Sequence, residues 1–335
     1  MPDPEAIFEN PRPQARWASW SLTALQVVVT VGLLVWLFHD PTRRERMFEA
    51  LAEADWRWMI AALVAAGVCE FFGIIRWQLL LRMMKVDVPW MTTTRLFFIG
   101  AFYNQFLPGT TGGDVIRVIY LMRDHPERKT AGFLSVAIDR LLAVLVLMVM
   151  GLGVAWWRRD WFAQSIAVGS VMSWFTVILV VLLCGLLASF ILTSRHLVLR
   201  LPKKFPFRRT IIKLSTLWQL CLENRREAAW AAFHTLPMLL AYFSAFYFAA
   251  RAFTDKVSLW DMTSIMPLIT AVSSLPISLN GIGVRETMFE EMLAELCGIP
   301  RGQGLLVSIS GMFVYLLWGL VGAIFLIQRI RGKTP

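Results

Sequence analysis

The chain is dominated by apolar runs too long for the strands or helices of an ordinary soluble core. Six of them, at roughly 19–38, 57–75, 131–155, 172–193, 231–250 and 304–328, approach or exceed the length that crosses a hydrocarbon layer. A helix needs about 18 residues to do so, the layer being about 30 Å thick. Inside that layer the backbone finds no water, so each run must satisfy its own N–H and C=O groups as a helix. The expected fold class is therefore an all-α integral membrane protein with about six transmembrane helices. Composition agrees: 17% of the 335 residues are charged and 57% are hydrophobic, against about 25% charged in soluble domains. Trp36, Trp56, Trp58, Trp156, Trp157 and Trp230 sit at or near the ends of the runs, where indole rings favour the membrane–water interface.

A net charge of +10 raises nucleic acid as a partner, but the basic residues gather between the runs. That is the pattern of cytoplasmic loops, and no zinc spacing or basic aromatic sheet motif supports nucleic-acid binding. Cys69, Cys184, Cys221 and Cys297 are isolated and form no disulfide framework. His39, His125, His196 and His234 show no i, i+4 spacing, so no metal site is expected. No nucleophile is paired with a base, and Gly281-Ile-Gly283 lacks the third glycine of a dinucleotide fingerprint. No cofactor and no enzymatic activity are expected. Residues 1–18 mix Pro, acids and Arg and read as a cytoplasmic tail rather than a secretory signal.

The segment 194–230 holds nine basic residues, Arg195 to Arg226, against Glu223 and Glu227, and should be cytoplasmic. Within it Ile211, Leu214, Trp218 and Cys221 recur at helical spacing, as a helix lying flat on the leaflet or as a solvated one. Six crossings then place both termini, including the tail 329–335, in the cytoplasm of a bacterial inner membrane. Arg43, Arg44 and Arg46 sit against this rule in an outside loop at 39–56.

Two further apolar regions are interrupted. Thr94–Met122 breaks at Pro108-Gly-Thr-Thr-Gly-Gly-Asp114, and Thr263–Leu293 breaks at Pro276-Ile-Ser-Leu-Asn-Gly281-Ile-Gly283. Their arms are too short to span, which predicts two broken re-entrant helical hairpins. Pro108, Gly113 and Arg117 match Pro276, Gly281 and Arg285 column for column at an offset of 276 − 108 = 168, half the chain. A single membrane domain at 19–328 thus divides into halves at about 19–155 and 172–328, each with two spans, a hairpin and a span, in opposite orientations. Paired interruptions of this kind point to a transporter binding site.

Gly109, Gly112, Gly113, Gly281 and Gly283 would let a ligand approach the backbone. The arms starting near Asp114 and Val284 would offer free N–H groups to a lipid phosphate. Arg117 and Arg285 would add bidentate contacts, with Asp139, Arg140 and Glu286 as further ionisable candidates at membrane depth. Arg76 should snorkel to the headgroups, and Glu290 and Glu291 should face outside water. The alternative for Asp139 and Arg140 is mutual or cross-helix pairing that holds the bundle together, and Asn104 and Asn280 should cap backbone freed by the breaks.

Three stretches, Asn104-Gln-Phe-Leu-Pro-Gly-Thr-Thr-Gly-Gly-Asp-Val-Ile-Arg117, Ser135-Val-Ala-Ile-Asp-Arg140 and Leu275-Pro-Ile-Ser-Leu-Asn-Gly-Ile-Gly-Val-Arg-Glu286, resemble the signatures of the lysylphosphatidylglycerol synthase transmembrane-region family, also called flippase-like or UPF0104 membrane proteins. The likeness runs from about residue 20 to 330. It implies a bacterial or archaeal cytoplasmic-membrane protein, whose relatives flip aminoacylated phosphatidylglycerol or serve hopanoid or polyprenyl-phosphate-sugar pathways. The soluble aminoacyl-transferase domain of bifunctional relatives has no counterpart before Pro335, so aminoacyl transfer is not expected. The expected function is movement of a phosphate-containing, possibly aminoacylated, lipid between leaflets, with membrane lipids as partners. The alternatives are a scaffold for a lipid-biosynthetic enzyme and a polyprenyl-phosphate-dependent transferase.

Overall fold

The computed structural model describes residues 41–106, 112–124, 129–194, 208–275 and 278–332, with four isolated residues before them. The first expected span, 19–38, lies almost entirely outside these, as do Pro108, Gly109 and Pro276. The described residues are helical throughout, without strands: α1 Pro41–Ala52, α2 Trp56–Met83, α3 Trp90–Phe106, α4 Gly112–Asp124, α5 Lys129–Trp157, α6 Arg159–Phe162, α7 Ile166–Ser194, α8 Arg208–Glu223, α9 Arg225–Arg251, α10 Leu259–Ser273, α11 Val284–Cys297 and α12 Arg301–Ile330. Five of them, α2, α5, α7, α9 and α12, are long and apolar enough to cross a membrane. At about 1.5 Å per residue their 27–30 residues exceed 40 Å. The apolar runs therefore understate the helices, which carry polar residues such as Arg76 and Gln78 on past the expected ends.

Side-chain caps set several boundaries. Asp55 accepts from the Arg57 N–H at 3.0 Å to start α2. Ser258 and Asp261 form a reciprocal capping box that starts α10. Gly298, in the left-handed conformation, ends α11 two residues before Pro300. The expected outside loop at 39–56 instead contains the helix α1, whose Ala50 packs on Leu305 and Leu306 of α12.

At the centre α2 and α9 pack closely along their length. Ala62, Ala65, Ala66 and Gly73 of α2 are buried, as are Ala241, Ala245 and Ala249 of α9. Small residues let the two backbones approach where lipid offers no hydrophobic drive. The two helices run antiparallel: Trp58 stacks on Phe248 with ring centroids 5.9 Å apart, and Arg76 reaches Thr235 at 3.3 Å.

This antiparallel pair decides where the hairpins enter. Hairpin one (α3–α4) leaves from the C-terminal end of α2, and hairpin two (α10–α11) from the C-terminal end of α9. They therefore open at opposite ends of the bundle, called here face one and face two. The packing is matched in both halves: α2 with α5 as α9 with α12, α2 with α12 as α9 with α5, α3 with α12 as α10 with α5, and α4 with α5 as α11 with α12. Two repeats related by a two-fold axis across the bundle give this pattern.

The faces differ in charge. Helix ends at face one bring Arg82, Lys85, Arg123, Arg225, Arg226, Arg329 and Arg331 against Asp87, Asp124, Glu223 and Glu227. Face two mixes Arg57, Arg158, Arg251 and Arg301 with Asp55, Asp160, Asp255, Asp261, Glu291 and Glu295. The helical spacing at 211–222 is realised as α8, anchored at face one by Trp218, whose Nε1 donates to Ser189 Oγ at 2.9 Å.

Candidate functional site

Hairpin one carries Asp114 and Arg117 on α4, one turn apart and both buried. Arg140 Nε of α5 donates to Asp114 Oδ2 at 2.6 Å, and Arg117 Nη2 lies 3.2 Å from Asp114 Oδ1. Across the bundle, Arg76 Nε of α2 donates to Asp139 Oδ1 at 2.7 Å, and Arg117 Nη2 lies 3.6 Å from Asp139 Oδ2. The result is an alternating chain, Arg140–Asp114–Arg117–Asp139–Arg76, drawn from three helices. Arg117 also lies over the Trp77 ring at 4.3 Å, and Trp77 Nε1 donates to Ser135 Oγ at 3.3 Å.

A buried guanidinium is tolerated only with carboxylates and hydrogen bonds around it. Here three guanidiniums face two carboxylates, and the five side chains sum to one positive charge. Arg117 is the loosest member: its Nε and Nη2 are buried and make no hydrogen bond among the described residues, so the two carboxylates hold it as ion pairs only. Arg140, with a side chain 47% exposed against 4% for Arg117, marks the open edge of the network.

Hairpin two solves the same problem locally. Arg285 Nη2 pairs with the adjacent Glu286 Oε1 at 2.9 Å, and Arg285 Nε donates to Ser308 Oγ of α12 at 3.3 Å. Ser308 Oγ donates to Glu286 Oε1 at 2.9 Å, while Glu286 Oε2 accepts the Gly283 N–H at 2.6 Å. This closed set is buried and neutral. It falls on the repeat: 285 − 117 and 308 − 140 both equal 168, so Arg285 and Ser308 occupy the places of Arg117 and Arg140.

The two breaks touch. Asn280, held at φ 52°, donates from Nδ2 to the Asn104 carbonyl oxygen at 3.2 Å. Asn104 Oδ1 in turn accepts the Gly113 N–H at 2.8 Å. Both asparagines thus cap backbone at the tips, as their positions beside the breaks suggest. Asn104 lies 15 residues into α3, about 20 Å along the helix from face one, so the tips meet deep in the bundle.

Several expectations are corrected. Arg76 does not snorkel: α2 continues past it to Met83, which places it inside the bundle, where it is 5% exposed and paired with Asp139. Glu290 does not face water but is fully buried, whereas Glu291 pairs with Arg301 at 2.9 Å near the surface. The N–H groups at the arm starts are not simply free, because Asn104 and Glu286 already occupy those of Gly113 and Gly283. Gly113 does not open a path to the backbone either; a methyl there would collide with the Gly100 carbonyl oxygen of α3. At Gly281 a φ of 75° and the Ser273 carbonyl, 2.7 Å from where a Cβ would sit, likewise demand glycine for packing. Gly112 opens α4 and Gly283 precedes α11 at φ 86°. Asp139 and Arg140 pair across helices and not with each other. Arg117 and Arg140 come together, whereas Arg285 and Glu286 belong to a separate set.

Sequence reasoning overlooked Arg76 as a site member, and with it Trp77, Ser135, Thr235 and Ser308. Ser308 was discoverable, since the 168-residue offset maps Arg140 onto it. Ser135 opens one of the signature stretches, whereas Trp77 and Thr235 carried no signal, because a polar or aromatic residue in a membrane helix acquires a role only from what packs against it.

Comparison with known proteins places this architecture. A relative is the UPF0104 membrane protein of Pyrococcus horikoshii, 27% identical over 107 residues, which cover 31% of this chain and 32% of that protein. The matched stretch is therefore about a third of the relative's length. The family model of the lysylphosphatidylglycerol synthase TM region matches residues 23–326, nearly the whole of the two repeats and both hairpins. The chain belongs to the lysylphosphatidylglycerol synthase transmembrane-region family.

Proposed function

We propose that this chain moves a phosphate-containing lipid between the leaflets of a cytoplasmic membrane, without covalent chemistry. The observation that carries the reading is the meeting of two broken hairpins from opposite faces, beside a buried network of net positive charge whose Arg117 is under-bonded. Interrupted segments in paired positions form substrate sites in transporters built from inverted repeats. A lipid phosphate would balance the positive charge that these five side chains sum to, and two acceptor oxygens suit a guanidinium. Arg140 at the exposed edge would receive it first and Arg117 would hold it. Arg285, Glu286, Asn104 and Asn280 would set the shape of the second hairpin against it. An aminoacylated headgroup would find Asp114 and Asp139 within the same network. Face one, the strongly basic one, would be cytoplasmic, so both hairpins sample opposite leaflets and rocking of one repeat on the other alternates access.

The test is leaflet-resolved lipid transport in proteoliposomes. Arg117→Ala is expected to lower transport by about 10-fold or more, the loss of a charge-assisted contact of ~1.5–3 kcal/mol, and Arg285→Ala to lower it as well. Unchanged movement of every candidate lipid in both variants refutes the assignment.

A second reading, a membrane scaffold for a lipid-biosynthetic enzyme, draws support from the caps at Gly113 and Gly283 and from the filled space at Gly113, which give the breaks a structural role. It predicts that substitutions in the 194–230 segment abolish function in cells while conservative changes at the breaks do not.

A further inference from the structure

Outside the network just described, face one holds a second cationic feature. A cavity of about 280 Å³ opens between α3, α4 and α12, lined by Thr92, Arg95, Ile99, Arg123, Phe325 and Arg329. Three guanidiniums surround it, and Asp124 is the one acid on its wall among the described residues. Asp124 is already engaged, pairing with Arg329 Nη2 at 2.5 Å. Arg329 also lies over the Tyr120 ring at 4.5 Å, which fixes the orientation of its plane. Arg95 Nε is buried and has no hydrogen-bond partner among the described residues. A buried cationic N–H of this kind carries a desolvation cost that a protein group or a ligand normally offsets.

We propose that this cavity is a binding site for a phosphate group, filled by the phosphodiester of an anionic lipid in the leaflet at face one. Among the described residues the lining sums to a charge of +2. Arg95, Arg123 and Arg329 come from three different helices, so their donors converge from different directions, as a tetrahedral anion requires. Ile99 and Phe325 supply an apolar wall against which acyl chains can lie. Basic crevices between membrane helices at the level of the headgroups are where anionic lipids are held. α3 and α4 belong to one repeat and α12 to the other. A lipid bound here therefore bridges hairpin one to the opposite half, at the mouth of the hairpin and far from its tip contact with Asn280. The site stands whether or not the protein transports lipid, because it uses none of the residues assigned to transport.

The experiment is a thermal-shift and binding titration of the purified full-length protein in neutral detergent. The probes are a short-chain phosphatidylglycerol, phosphatidylcholine of equal chain length and inorganic phosphate. Phosphatidylglycerol should stabilise the wild type and phosphatidylcholine should do so much less. Arg95→Gln should weaken phosphatidylglycerol by about 10-fold, and Arg95→Lys should recover part of the loss. Arg123→Gln, at an exposed position, gives a second reading should Arg95→Gln fail to fold. Competition by inorganic phosphate identifies the phosphate as the recognised group. Saturable binding of inorganic phosphate with no response to phosphatidylglycerol overturns the lipid assignment in favour of a soluble anion. Equal affinity of wild type, Arg95→Gln and Arg123→Gln for both probes overturns the site.

Discussion

The two hairpins share a sequence pattern and a place in the repeat, yet they neutralise their arginines by different means. In hairpin one, Arg117 shares Asp114 of its own helix with Arg140 of α5 and also faces Asp139 of α5, which is in turn shared with Arg76 from α2. In hairpin two, Arg285 depends on its neighbour Glu286 and on Ser308 of α12. Hairpin one has Asp114 on its own helix, but interhelical pairs through Arg140 and Asp139 lock it to the bundle, whereas the ion pair of hairpin two stays within one helix. An ion pair made within one helix survives displacement of that helix, whereas a pair made between helices must break. Under the proposed transport function, hairpin two is the element expected to shift, with hairpin one as its fixed counterpart.

The sharpest way to break this comparison is to remove the carboxylate from each side. Asp139→Ala leaves Arg76 and Arg117 buried together without it and should cost about 3–5 kcal/mol. Glu286→Ala strands one guanidinium that Ser308 still contacts, so its cost should be clearly smaller. Denaturant titration of both variants in detergent measures the difference, and equal costs would remove the distinction between the hairpins. Next in size is Gly113→Ala, which drives a methyl into the α3 backbone and should destabilise by about 1–3 kcal/mol. A variant as stable as the wild type would mean that α3 and α4 separate readily, contrary to a fixed hairpin one.

A smaller effect is expected where the hairpins meet. Asn280→Ala removes one hydrogen bond to the Asn104 carbonyl, worth about 0.5–1.5 kcal/mol. Under the proposed transport function it should alter transport more than stability, because it sits where the two hairpins touch. Transport at the wild-type rate would argue that the tip contact is incidental.

The smallest effect concerns the two ends of the bundle. Burial pushes the Cys297 thiol, at the mouth of hairpin two, up to about 12, and the Cys221 thiol, on α8 at face one, up to about 11. The thiolate is the reactive form, so a raised value means little of it at neutral pH and slow alkylation. Labelling of both should rise about tenfold per pH unit between 7 and 9, with Cys221 ahead of Cys297. A membrane-impermeant maleimide applied from one side of oriented vesicles should reach only one of the two. Labelling of both from the same side would contradict the opposite placement of the hairpin mouths.

Much of this fold was legible in the residues because the membrane restricts the choices so severely. Length and hydropathy located α2, α5, α7, α9 and α12, and Pro and Gly located both breaks. The offset of 168 identified the repeat, and hence the opposed hairpins, before any contact was known. The helix ends were missed where polar residues are tolerated inside a bundle, as at Arg76 and Gln78. For the site, the ionisable residues at membrane depth stand out in the sequence because placing charge there is costly and demands partners, and the structure pairs them.

What the sequence determined by itself is thus which residues must be paired: Asp114, Arg117, Asp139, Arg140, Arg285 and Glu286 cannot sit in an apolar bundle alone. Which pairs form was decided only by tertiary structure. Arg76 stands 63 residues from Asp139 and Asn280 stands 176 from Asn104, and no local pattern joins them. Periodicity fixes which face of a helix is apolar, but the partner of a charge depends on which helix packs there and at what depth. The antiparallel meeting of α2 and α9 fixes both, and it turns one repeated pattern into a charge network on one side and a closed neutral set on the other.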